Sequence, residues 1–68
     1  MVEFNEKDAL GGWSVAVVLN RLVVGHIRRQ GNGGFGYYKG PDNHLTWAFE
    51  DDDLEALKSK VDSLIRGA

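Results

Sequence analysis

The chain has 68 residues, no cysteine, 43% hydrophobic residues and a net charge of -2, so it is one small domain with an aliphatic and aromatic core. Disulfide and thiolate-metal frameworks are excluded, and the mild acidity argues against a dedicated nucleic-acid binder, which carries a basic excess. The longest apolar run, residues 15–19, is far too short to span a membrane, and no basic segment leads into an apolar stretch at the start, so a cytoplasmic protein is the expectation.

Residues 1–12 form an arm with two readings. Asn5 is placed to cap a helical turn that reaches Leu10 and ends at Gly11 and Gly12. The alternation of Val2 and Phe4 with polar residues suits a short strand equally well. In both readings Phe4 and Leu10 anchor the arm to the core.

Residues 13–19 read as a strand with Trp13, Val15, Val17 and Leu19 on one face. Residues 22–29 are its partner, with Val23, Gly25 and Ile27 alternating against Val24, His26 and Arg28. A two-residue turn at Asn20 and Arg21 sets Val15 opposite His26. A three-residue connection sets Val15 opposite Ile27. Only the second register gives a single apolar face, because a slip of one residue exchanges faces, so an odd-length loop or a bulge is required.

Residues 30–34 are a loop by composition, and residues 35–39 a third strand. Residues 40–43 form a turn with Pro41 at its second position. Residues 45–49 are a short fourth strand with Leu45, Trp47 and Phe49 on one face. Trp13 and Trp47 are read as core anchors. The spacing of Leu54, Leu57, Val61, Leu64 and Ile65 predicts a helix over residues 52–66. Asp52 and Glu55 fit a capping box, Gly67 ends the helix, and Lys58, Lys60 and Arg66 lie in its later turns, where cations oppose the dipole. The fold expected is a single α+β domain over residues 1–68. It is an antiparallel β-meander of three to four strands within residues 13–49, with one C-terminal α-helix packed on one face.

Half of the ten acidic residues fall within six positions: Glu50, Asp51, Asp52, Asp53 and Glu55. Acids at a helix start gain about 0.3–1 kcal/mol each, and one Asp with one Glu supplies most of that. The others add like-charge repulsion. This surplus points to a partner-binding face for a basic protein surface, such as one built to hold nucleic acid. The plain reading is a solvated helix start. The run lacks the alternate spacing and central glycine of a calcium loop, and no metal is expected.

A second surface combines Arg28, Arg29, Tyr37, Tyr38 and Lys39, since aromatic rings stack on bases and cations hold phosphates. Its plain reading has one tyrosine packed inward. The segment 31–36 satisfies G-x-G-x-x-G by letter, but a strand follows it, so a hairpin loop is expected rather than a nucleotide site. Gly34, Phe35, Gly36 and Tyr37 resemble the centre of the RNP1 motif of RNA-recognition domains. Gly33 and Gly40 stand where that motif has a basic and an aromatic residue, which sets the family aside. The sheet-then-helix order also resembles the small DNA-binding domains of the AP2 and integrase-arm type, in layout only. His26, His44, Ser14, Ser59 and Ser63 lack ligand or nucleophile spacing, so neither catalysis nor a cofactor is expected.

In size, charge, lack of cysteine and layout, the chain resembles small acidic phage-encoded inhibitors of bacterial defence, the anti-CRISPR type among them. The resemblance covers no shared motif. It implies a non-enzymatic protein that docks its acidic face on a basic, nucleic-acid-handling partner and blocks it. Two alternatives stand beside it: a nucleic-acid-binding module that uses the basic and aromatic sheet face, and a structural accessory domain or homodimer that pairs through an edge strand.

Overall fold

Five strands and a helix follow one another along the chain: β1 (Val2–Ala9), β2 (Gly12–Leu19), β3 (Leu22–Arg29), β4 (Phe35–Lys39), β5 (Phe49–Asp51) and α1 (Leu54–Gly67). They come from a computed structural model, which describes residues 2–9, 12–31, 33–40 and 46–67. The strands pair in chain order, each antiparallel to the next, so the sheet is an open meander. Helix α1 packs across one face against β1, β4 and β5. Among the described residues no helix is long and apolar enough to cross a membrane.

The α+β meander with a C-terminal helix agrees with expectation, but among the described residues it has five strands rather than three or four. The added strand is β1. It pairs with β2 along its whole length, from Val2 opposite Leu19 to Ala9 opposite Gly12. The helical reading at Asn5 is therefore corrected. A single isolated turn is costly to nucleate, whereas pairing with β2 bonds the backbone of residues 2–9 along one side. Phe4 packs against the core as expected. Leu10, Gly11, Asn32, the turn expected at Pro41 and its neighbours, His44 and Leu45 lie outside the described residues.

The β2–β3 hairpin resolves the register problem with two devices. Asn20 and Arg21 both have positive φ, 52° and 70°, as a two-residue type I′ turn demands. That turn sets Leu19 opposite Leu22 and Val18 opposite Val23. The register then shifts, so that Val17 opposes Gly25 and Val15 opposes Ile27, and Val24 is left as the extra residue of a bulge. The bulge restores the apolar face that the tight turn alone would have broken.

The core is that face plus the helix stripe: Val15, Val17, Ile27, Tyr37, Leu57 and Val61 are all buried. Gly25 lies among them because Tyr37 needs the room. A Cβ at Gly25 would sit 2.6 Å from Tyr37 Cε1 and 2.7 Å from the Tyr38 carbonyl oxygen. Leu54 and Ile65 pack at the margin of the core, while Leu64, expected in the apolar stripe, is 41% exposed.

The last strand differs from expectation in place and in facing. It runs over Phe49–Asp51 instead of residues 45–49. Phe49 stacks on Tyr37 on the helix side, with ring centroids 6.2 Å apart. Trp47 meets Tyr38 edge-on at 6.3 Å on the uncovered side and is 47% exposed. Alternation binds two residues to one face only while the strand continues between them, and β5 begins at Phe49. Trp47 is therefore no core anchor. Trp13 is half-buried on the helix side, edge-on to Phe35 and 5.4 Å from the Arg29 guanidinium.

Candidate functional site

The junction between β5 and α1 sorts the five clustered acids into distinct roles. Asp51 closes β5 opposite Phe35, on the helix side of the sheet. Its Oδ1 accepts the Asp53 backbone N–H at 2.9 Å, an Asx turn that reverses the chain into the helix. Its Oδ2 accepts Lys60 Nζ at 2.9 Å. The Asp53 amide first, and the Lys60 ammonium next, hold the Asp51 carboxyl below its ordinary value.

Asp53 is the helix cap. Its Oδ1 accepts the Glu55 N–H at 3.0 Å, and its carbonyl accepts the Leu57 N–H at 3.0 Å. This corrects the capping box expected at Asp52: the helix begins two residues later than residue 52. Asp52 therefore sits outside it. Glu55 faces Lys58 at 3.4 Å, but the Glu55 side chain is 81% exposed, so that pair contributes little.

Glu50 and Asp52 remain. Glu50 opposes Gly36, and its side chain lies on the uncovered sheet face. Both residues are exposed. Neither side chain has a hydrogen-bond or ion-pair partner among the described residues. Together with Asp51, Gln30 and Gly34 they line a shallow polar recess. Gln30 Nε2 is buried and has no hydrogen-bond partner among the described residues. Glu50 and Asp52 are thus the two acids of the cluster with neither a capping role nor an ion pair among the described residues. Residue spacing could not tell them from the other three, because the Lys60 partner of Asp51 is nine positions away and carries no local signal.

The basic and aromatic set does not form one surface. Arg28 pairs with Ser14 and Gly36, and Tyr38 with His26, all on the uncovered face. Arg29, Tyr37 and Lys39 are on the helix side, as strand alternation demands of neighbours in sequence. Tyr37 is 2% exposed, and burial raises its phenol pKa. Tyr38, 9% exposed, packs against Trp47. Arg29 lies over the rings of Trp13 and Phe35.

Among the described residues no cluster of three or more His, Asp or Glu is placed to hold a metal ion. Compared with known proteins, the chain matches no protein-family model and no solved structure.

Proposed function

We propose that the chain is a small binding protein, without catalysis of its own, that seats its β5–α1 corner on a basic protein surface. The observation that carries this reading is the pair Glu50 and Asp52: exposed, without a side-chain partner among the described residues, and flanking an Asp51 that is held on both oxygens. The Asx turn from Asp51 to Asp53 fixes the backbone that carries Asp52, and the helix cap at Asp53 holds the next turn. Little conformational entropy is then lost when a partner's arginine or lysine engages. Arginine suits the site best, because its planar fork meets carboxylates in fixed geometry and is weakly hydrated. If the partner's basic groove holds nucleic acid, an occupied groove is a blocked one. That is the mode implied by the resemblance to small acidic inhibitors.

The test is affinity capture from the cell of origin followed by mass spectrometry, with wild type beside Glu50→Lys/Asp52→Lys. Wild type should retain a basic protein that high salt releases. The double variant should fold, by circular dichroism, and should lose that protein. Retention of the same protein by both would contradict the reading. Reversal at Asp51 or Asp53 is uninformative, since those carboxylates build the helix start.

A further inference from the structure

β1 is an open edge of the sheet, eight residues long. The β2–β3 turn fixes which of its backbone groups are free. Leu19 and Leu22 close a two-residue turn, so Leu19 bonds toward β3 and Val18 toward β1. Val18 opposes Glu3, and Ala16 opposes Asn5. The N–H and C=O groups of Glu3, Asn5 and Lys7 therefore point into the sheet, and those of Val2, Phe4, Glu6 and Asp8 point outward. On the uncovered face, Glu3 and Lys7 are exposed, and neither has an ion-pair partner among the described residues.

We infer that β1 pairs antiparallel with β1 of a second copy, centred on Asn5, to join the two five-stranded sheets into one. Outward groups must meet outward groups, so even positions pair with even and odd with odd. Three two-fold registers near the strand centre satisfy this. Centring on Glu6 sets Glu6 against Glu6. Centring on Phe4 leaves Glu3 opposite Asn5 and Lys7 beyond the ladder. Centring on Asn5 sets Glu3 of each copy opposite Lys7 of the other, in two symmetric ion pairs. These fall at the positions that exchange no backbone bonds, where side chains stand closest. Val2 with Asp8, and Phe4 with Glu6, exchange the backbone bonds.

Even pairing also keeps both helices on the same side of the joined sheet. Glu6 of the second copy then comes beside Phe4, whose ring has the Lys58 ammonium 5.7 Å from its centroid. Lone charges on an edge strand ordinarily repel other strands. Here their order, acid then base about a central Asn, is complementary to itself in one register only.

The experiment is sedimentation equilibrium of the full chain up to millimolar concentration, with circular dichroism to confirm folding. Wild type should sediment at twice the chain mass. Lys7→Glu, which sets like charges at both symmetric sites, should weaken the dimer by roughly tenfold or more. Glu3→Lys/Lys7→Glu restores both pairs with reversed polarity and should recover it. A wild type that stays monomeric overturns the proposal. So does a dimer unmoved by Lys7→Glu, or one that the double exchange fails to rescue.

Discussion

Asp51 and Lys60 are nine residues apart in the chain, and their side chains meet at 2.9 Å. The contact ties the end of β5 to the middle of α1, so strand, turn and helix hold one another in place. It also takes out of circulation a carboxylate that the sequence offers to a partner. The pair gives a pH prediction with a definite sign. The folded-state pKa of Asp51 lies below its ordinary value of 3.8. The stabilisation is then fully present above that value and is lost as pH falls through the folded one. Asp51→Asn should be less stable than wild type at neutral pH, and its stability should fall less steeply on acidification. Thermal melts across the acid range check both.

Removing the helix cap separates structural from free acids. Asp53→Ala loses the bond to the Glu55 amide and should cost about 1 kcal/mol, a fall in Tm of about 4–8 °C. Asp52→Ala should change stability by less than about 0.5 kcal/mol. Paired calorimetric melts of the two variants decide this, and a larger loss at Asp52 would move the cap back to the position expected from sequence.

The close approach at Gly25 gives the largest expected effect. An added methyl would overlap the Tyr37 ring and the Tyr38 carbonyl, and neither can withdraw without moving the core. Gly25→Ala should cost about 1–3 kcal/mol. At Gly31 a Cβ would meet nothing within 4 Å, so Gly31→Ala should leave the urea midpoint nearly unmoved. Denaturant titration of both variants makes the comparison.

Much of the fold is legible in the sequence where the governing pattern is local. The apolar stripe of α1 follows from a 3.6-residue period alone, and Leu57 and Val61 are buried as that period requires. The demand for an odd-length loop or a bulge was also legible, since only Val15 against Ile27 gives one apolar face. The combination of a bulge with a two-residue turn was not, because a tight turn followed by one bulge leaves Val15 opposite Ile27, as an odd-length loop would. β1 was ambiguous for a physical reason: Glu6 and Asp8 occupy its helix-side positions, so apolar alternation stops after Phe4. The acidic cluster was legible as a crowd but not as individuals. Which acids are spent depends on where Lys60 arrives after folding. Grouping Arg28 with Arg29 and Tyr37 with Tyr38 failed to give one surface because neighbouring strand residues face opposite ways.

Arg21 holds φ of 70° in the β2–β3 turn, a conformation that disfavours any residue with a Cβ. Arg21→Gly gives the Asn-Gly pair that type I′ turns prefer and should raise stability by about 0.5–1 kcal/mol. A higher Tm by scanning calorimetry is the expected result.

Tyr37 predicts behaviour at the alkaline end. Burial raises its pKa above 10.0. Its neutral form is favoured by the fold, so this contribution is complete below the unfolded value and disappears as pH rises through the folded one. Wild type should lose stability from about pH 10 upward, and Tyr37→Phe should lose distinctly less. Melts at stepped alkaline pH, compared between the two, isolate the phenol from the lysines.

Binding strength of the captured partner, measured by titration calorimetry, discriminates most sharply between a placed pair of carboxylates and mere acidity. Glu50→Gln/Asp52→Asn and Asp8→Asn/Asp62→Asn each remove two negative charges, one set from the corner and the other from β1 and from α1, where Asp62 pairs with Arg66 at 2.8 Å. The corner variant should bind about tenfold or more weakly, with a shallower salt dependence, and the other should match wild type. Equal weakening by both variants would mean that net charge alone draws the partner, and the corner would have no special standing.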